Sequence, residues 1–324
     1  MHTNTTFRVN LKEADRVEIT TLIDNHTDGL LSMNEAKNPL VTRDPHKQRA
    51  KANKEALLAE HGLSLLIKIF SDTWEHTILF DGGYTKVGII HNIRVLDIDL
   101  SSLEAIVLSH GHRDHYGGLY TVAKHMQKNG VPLIAHPDAF LNRYREQSNG
   151  TMVRHGFQFE KRLDRAGLQI MKCKTPYLLA SNMLATTGEI ERLTDFESIS
   201  TDRFIRRKGK LERDFILDDQ ALVLNLKRKG LVIISGCAHS GIINTVKYAK
   251  KITQLDRVYA ILGGFHLPEQ RLDSRVERTV AALVEINPTL VVPMHCTSWV
   301  AMHSIYKAMP QAFILSNVGT RFNL

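Results

Sequence analysis

The sequence predicts an α/β protein, a four-layer sandwich with helices outside two packed sheets, and three observations lead there. Short, apolar, β-branched runs pass through glycine-rich turns into helical periodicity, as at 103–126 and again at 231–249. This order of several strands followed by strand-turn-helix units occurs in both halves of the chain, with no residue-level repeat between them. Four separate strands end in candidate metal ligands: His110 with His112, Cys237 with His239, His266, and His295. Strand ends are where open α/β sheets place their sites.

Composition narrows the class. The chain has 324 residues, 43% hydrophobic and 23% charged, as in an ordinary soluble globular protein. We read it as one domain, 1–324, with a flap at 26–60 and a site-covering insertion at 140–215. No apolar run reaches the roughly 20 residues needed to span a bilayer. The N-terminal residues show no basic region followed by an apolar stretch, and three cysteines give no disulfide framework, so a cytoplasmic location is expected. The net charge of +8 is compatible with nucleic acid, an anionic small substrate or solubility alone. No nucleic-acid motif with interleaved aromatics accompanies it, so an anionic small molecule is the expected partner, not nucleic acid or a membrane. One dense basic run, 203–210, reads as a solvated loop or as a phosphate clamp through Arg206, Arg207 and Lys208.

Taken in order, 17–25 alternates apolar and polar residues and reads as a first strand. The polar, basic stretch 26–60 reads as the flap, with a short helix at 48–58. Strands are expected at 63–70 and 77–83, the latter ending in Asp81-Gly82-Gly83. Asp81 either hydrogen-bonds a metal ligand or caps the turn. The strand 103–108 leads into the motif, and Leu119, Val122, Ala123 and Met126 share one face of the helix after it. The strand 131–136 ends in His136, read as structural. Strands follow at 216–227 and 231–241, then a helix with Ile242, Ile243, Val246 and Ala249 on one face. A strand at 258–266, a helix at 272–286, and strands at 289–297 and 312–316 complete the chain.

The motif is the chemical centre. His110, His112, Asp114 and His115 put four potential ligands within six residues. Side chains two apart on extended backbone share a face, so His110 and His112 can address one ion while Asp114 and His115 address a second. Imidazole with carboxylate suits zinc, with iron and manganese as alternatives; one or two divalent ions are expected. Cys237 is read as a thiolate ligand, bridging two metals, or as a small buried residue. His295 is read as a ligand. His239 and His266 serve either as ligands or as donors to substrate and leaving group.

Several stretches recur in a known order: Asp24-Asn25, Glu60-His61-Gly62, Asp81-Gly82-Gly83, His110 to Leu119, Thr187-Gly188-Glu189, Ser235-Gly236-Cys237-Ala238-His239, Gly263-Gly264-Phe265-His266 and Pro293-Met294-His295-Cys296. From about residue 17 to 318 the chain resembles one branch of the metallo-β-lactamase superfamily. That branch includes 7,8-dihydropterin-6-methyl-4-(β-D-ribofuranosyl)-aminobenzene-5′-phosphate synthase. The resemblance implies an αββα fold and, for that member, joining of a pterin diphosphate to an aryl ribose phosphate. His110, His112, Asp114, His115 and His295 match the superfamily's ligand positions. Two departures stand out: Cys237 occupies the place of a bridging aspartate, and Asp218 and Asp219 stand where hydrolases carry a histidine. The first metal's third ligand is therefore Asp218, Asp219 or His239.

The expected function is a metal-dependent hydrolase or transferase acting on a phosphorylated or diphosphorylated small molecule, a pterin-like one among the candidates, by metal-assisted displacement. Asp114 would orient the attacking group, and His239 or His266 would serve the leaving group. The alternatives are a catalytically weak ligand-binding regulator on the same fold, and a nuclease.

Overall fold

The structure, a computed structural model, describes residues 7–31, 39–43, 55–155, 159–197, 203–268 and 274–324. Two large sheets face each other across an apolar core. The first runs Leu168–Lys172, Val131–Ala135, Ala105–Val107, Glu75–Phe80, Ser64–Phe70, Arg16–Ile23, Arg321–Asn323 and Val41–Thr42. The second runs Tyr177–Leu179, Leu184–Thr186, Ala221–Leu226, Gly230–Ser235, Val258–Gly264 and Leu290–Met294, with Glu13–Ala14 also pairing with Ala221–Leu226.

Strand alternation builds the layers. Leu65, Ile67 and Ile69 point inward against Leu222, Leu224, Leu226, Val232 and Ile234 of the facing sheet. Leu66, one residue out of phase, turns outward to the layer with Ile89, Leu119 and Val122 from helices Lys86–Val95 and Leu119–His125. Val223, Ile233 and Ile261 turn the opposite way, against helices Ile242–Thr253, Ser274–Ile286 and Trp299–Ala308. The helix-sheet-sheet-helix order is the one the sequence predicts. Among the described residues no helix is long and apolar enough to cross a membrane.

A third, smaller sheet, ordered Lys210–Arg213, Arg203–Arg207, Asn142–Glu146 and Met152–His155, lies beside the site. It comes from the two ends of the stretch read as an insertion. The middle of that stretch joins the large sheets, through Leu168–Lys172 in one and through Tyr177–Leu179 and Leu184–Thr186 in the other.

Two sequence expectations are corrected. Residues 55–58 of the expected 48–58 helix are not helical, because Asn92 bonds both the N–H and the carbonyl of Leu58 and pins the backbone; residues 48–54 lie outside the described residues. The stretch 312–316 makes a single bridge, Val291 to Phe313, and then leaves the sheet. The closing strand is instead Arg321–Asn323, which crosses to the first sheet and pairs antiparallel with Arg16–Ile23.

Candidate metal centre

Ala105–Val107 is a short buried strand, and beyond it Ser109, His110 and Gly111 follow a tight path that ends in the single turn Arg113–Tyr116. Gly111 is required there: a Cβ would overlap the Ala139 carbonyl and the Arg143 guanidinium. Gly236 plays the same part in the facing sheet, where a Cβ would overlap the Ser109 side chain. The two sheet ends can therefore approach closely enough for their side chains to meet.

They meet in two sets of ligand atoms. In the first, His110 Nε2 lies 2.9 Å from His112 Nδ1 and 3.2 Å from His239 Nε2. In the second, His295 Nε2 lies 3.2 Å from both His115 Nε2 and Asp114 Oδ2. Cys237 Sγ is 3.3 Å from His115 Nε2 and lies within 4.8 Å of the ligand atoms of Asp114, His115 and His295, of those of His110 and His239, and, in a third group, of those of His266 and Cys296. The structure thus gathers His110, His112, Asp114, His115, Cys237, His239 and His295. It does not gather Asp218 or Asp219. Asp218 accepts the Gly111 N–H and an Arg143 N–H, and Asp219 accepts the Ser240 N–H. Burial pushes Asp219 up to about 6. Of the three contenders for the first set, His239 is the one in place.

Outward hydrogen bonds orient the rings. Asp81 Oδ2 sits 2.6 Å from His115 Nδ1 and accepts the Ser109 hydroxyl at 2.7 Å, while Oδ1 takes the Ser109 N–H. Ser109 Oγ in turn lies 2.9 Å from His110 Nδ1. Asn25 donates Nδ2–H to the His295 carbonyl, which turns its Oδ1 toward His295 Nδ1 at 3.4 Å. Of the two readings of Asp81, the hydrogen bond to a candidate ligand is the one present.

The fit to a metal follows from lone pairs. Where His115 and His295 give their Nδ1 protons to Asp81 and Asn25, two Nε2 lone pairs face each other across 3.2 Å. That arrangement needs a cation. Nitrogens bound at about 2.0–2.1 Å around a tetrahedral zinc ion lie about 3.3 Å apart, close to these separations.

Without a metal the cation is a proton. Burial opposes a charged His115, but the Asp81 and Asp114 carboxylates outweigh it and lift the ring to about 9. Burial likewise opposes ionisation of Asp114, yet His115 and His295 hold it well below the usual carboxylate range. Burial keeps His110, His112 and His239 well below the ordinary imidazole value. Burial pushes the Cys237 thiol well up.

A prediction follows. Because the folded value of His115 is raised, its pairing stabilises the metal-free protein fully below about pH 6.5 and ceases to do so as pH rises through about 9. A metal must displace that proton and the Cys237 thiol proton, so uptake at pH 7.5 is expected to release about two protons. Affinity should climb toward pH 9. Calorimetry in buffers of different ionisation enthalpy measures the count, and uptake with no proton release would contradict it.

The site opens into a cavity of about 640 Å³. His266 and Cys296 line it, and the His239 and His266 ring centroids are 4.1 Å apart. The cavity also meets residues the sequence reading did not single out as site residues, His61, Tyr84, Arg113, Arg143, Arg154 and Cys296, and from the basic run 203–210 it meets Arg203. His61 sits in the quoted Glu60-His61-Gly62 stretch, and Arg113 inside the motif. Arg206, Arg207 and Lys208, expected to hold phosphate, do not line the cavity. Arg207 forks onto Asp138 and also bonds Glu212, Arg206 lies over the Tyr144 ring, and Lys208 sits in the turn between two strands. Arg203, at the other end of the same strand, is the residue that reaches the cavity. At ~3.3 Å per residue, Arg207 is about 13 Å farther along.

Comparison with known proteins gives concordant findings. The sequence profile of the metallo-β-lactamase superfamily matches residues 59–172. The chain is 31% identical over 271 residues to 7,8-dihydropterin-6-methyl-4-(β-D-ribofuranosyl)-aminobenzene-5′-phosphate synthase of Methanocaldococcus jannaschii, covering 81% of this chain and 89% of that protein. It is 33% identical over 261 residues to the uncharacterized protein MJ0448 of the same organism, covering 81% and 92%. Among solved structures, Tm1679, described as a metal-dependent hydrolase of the β-lactamase superfamily, superposes with a TM-score of 0.72 at 23% identity, covering 95% of this chain and 99% of that one. The metallo-β-lactamase fold protein YhfI from Bacillus subtilis superposes with a TM-score of 0.53 at 11% identity, covering 96% and 100%.

Proposed function

The chain belongs to the metallo-β-lactamase superfamily, in the branch with the M. jannaschii synthase, and from that premise we propose a metal-dependent enzyme acting on a phosphorylated or diphosphorylated small molecule. A pterin-like substrate is among the candidates, on the strength of that relative's name. The observation that carries the reading is the convergence of two ligand sets, sharing Cys237, on one cavity rimmed by arginines. In this reading His110, His112 and His239 would hold a first ion and Asp114, His115 and His295 a second, and the Cys237 thiolate would be available to either. Zinc suits imidazole and thiolate together, with iron and manganese as alternatives.

When bound, the metal would supply Lewis acidity toward a phosphoryl or carbonyl oxygen and lower the pKa of a coordinated water. The chain's own residues do the rest. Asp81, Ser109 and Asn25 hold the rings in register, so that no rotamer search accompanies the reaction. Asp114, the one carboxylate lining the cavity among the described residues, orients the attacking group and accepts its proton. His266 lines the cavity with its Nδ1 buried and unbonded among the described residues, and it is placed to hand a proton to a leaving group. Hydrolysis and group transfer differ only in whether water or a second substrate attacks.

Elemental analysis of the purified chain should find two transition-metal ions, zinc foremost. Turnover of phosphodiester, thioester or lactone probes should vanish on dialysis against a chelator and return with added metal. A chain that binds no transition metal, or whose activity ignores the chelator, would favour a ligand-binding regulator instead.

A further inference from the structure

We propose that the Nε2 edge of His112 and the guanidinium of Arg203 form a fork for a tetrahedral oxyanion, the phosphate group of the substrate. The fork rests on the metal reading of the site. His112 turns Nδ1 toward His110 Nε2 at 2.9 Å, so its other ring nitrogen faces away from the cluster. Arg203 Nη1 stands 3.4 Å from that nitrogen, and both residues line the cavity.

A neutral ring that ligates through Nδ1 carries its single proton on Nε2. A guanidinium offers donors and no acceptor. Metal binding therefore turns the His112–Arg203 contact into two donors side by side, an arrangement to which an anion with several oxygens offers both acceptors and the opposite charge. The surrounding charge has the matching sign. Among the described residues four arginines (Arg113, Arg143, Arg154 and Arg203) line the cavity against one carboxylate, Asp114, which belongs to the second ligand set. Arg143 is committed to Asp214 and Asp218, so it contributes field. Arg203 also reaches this position reproducibly: its strand is fixed on one side to Asn142–Glu146, and its carbonyl accepts the Asp214 N–H. Those backbone bonds survive a side-chain change.

The phosphate held there lies on the side of the first ligand set, at His112. The substrate class this describes is a small molecule with a phosphate monoester set beside the bond that is broken or exchanged.

The test uses the metal-loaded full chain titrated with inorganic phosphate by calorimetry, with metal content measured in parallel. Arg203→Gln is expected to weaken phosphate binding about tenfold or more while the metal count holds. Arg203→Lys, which keeps the charge and loses the planar fork, should fall between. Arg207→Gln should bind as the unsubstituted chain does. Equal phosphate affinity in Arg203→Gln and Arg207→Gln, with metal intact, would overturn the fork alone. A chain that takes up no metal would overturn the reading beneath it, and that failure appears in the metal count, not in the titration.

Discussion

The chain carrying His110→Ala is expected to hold one metal ion fewer and to turn over probe substrates about a thousandfold more slowly or worse. His110 is fully buried, and its Nε2 is the atom nearest both partners of the first set, His112 Nδ1 at 2.9 Å and His239 Nε2 at 3.2 Å. Removing it leaves His112 and His239 with only the shared Cys237 thiolate, a set one ligand short and already drawn on by the second ion. A metal acting as Lewis acid and water activator lowers a barrier by several kcal/mol, and each ~1.4 kcal/mol is a factor of ten. Deleting a buried ring also opens a hole, so the control must share that cost. His136 is a buried histidine at the end of the neighbouring strand, and its Nδ1 accepts the Asp138 N–H outside both ligand sets. His136→Ala should lower stability yet keep its metal and its turnover. If His110→Ala kept its metal count and stayed within a few-fold in rate, the ring would be core packing and the first set would not be a metal site.

The parts of this protein that can be read from its residues are those where local pattern and burial agree. Ser64–Phe70 reads as a nearly continuous apolar run because the strand is buried on both sides, Leu65, Ile67 and Ile69 toward the facing sheet and Leu66 toward the helices, and such a run is visible in the letters. Gly111, His110 and His112 are legible for a similar reason: close backbone approach and ligand spacing both act over a few residues. Partners distant in sequence are not legible. Asp218 stands in a motif position that suggests a ligand, but Gly111 and Arg143, 107 and 75 residues away, claim its oxygens. Charge is densest around Arg206, Arg207 and Lys208, which makes them the expected phosphate clamp. Density does not say which end of a strand faces the cavity, and the register Arg203 to Arg145 and Arg206 to Asn142 decides it. The stretch 312–316 is apolar enough for a strand, yet only Phe313 finds a partner before the chain must cross to the other sheet.

Arg143→Met is expected to destabilise the metal-free protein by about 3–5 kcal/mol, the cost of leaving buried charges without their partner. Arg143 is 4% exposed, and Asp214 and Asp218 are buried with it. Its Nε donates to Asp214 Oδ2 at 2.8 Å, its Nη2 to Asp218 Oδ1 at 2.6 Å, and its Nη1 to the Gly111 carbonyl at 3.2 Å. Burial disfavours the guanidinium charge, but the two carboxylates outweigh burial and hold its proton more firmly than usual. Methionine fills much of the volume and supplies none of the donors, so two carboxylates stay buried with one hydrogen-bonded positive neighbour removed. The effect is expected to reach the site as well. Asp218 Oδ2 accepts the Gly111 N–H at 2.7 Å while Arg143 holds the carbonyl of the same residue, and Gly111 is the link between His110 and His112. Denaturant unfolding must be done without metal, because an ion bound only to the native state would mask the loss. Adding Asp214→Asn and Asp218→Asn to Arg143→Met removes the stranded charges and should restore a large part of the stability, whereas metal affinity should stay low because the guanidinium that fixed Gly111 is still missing. An Arg143→Met protein within about 1 kcal/mol of the unsubstituted chain would mean that dehydrating this triad costs as much as its pairing returns.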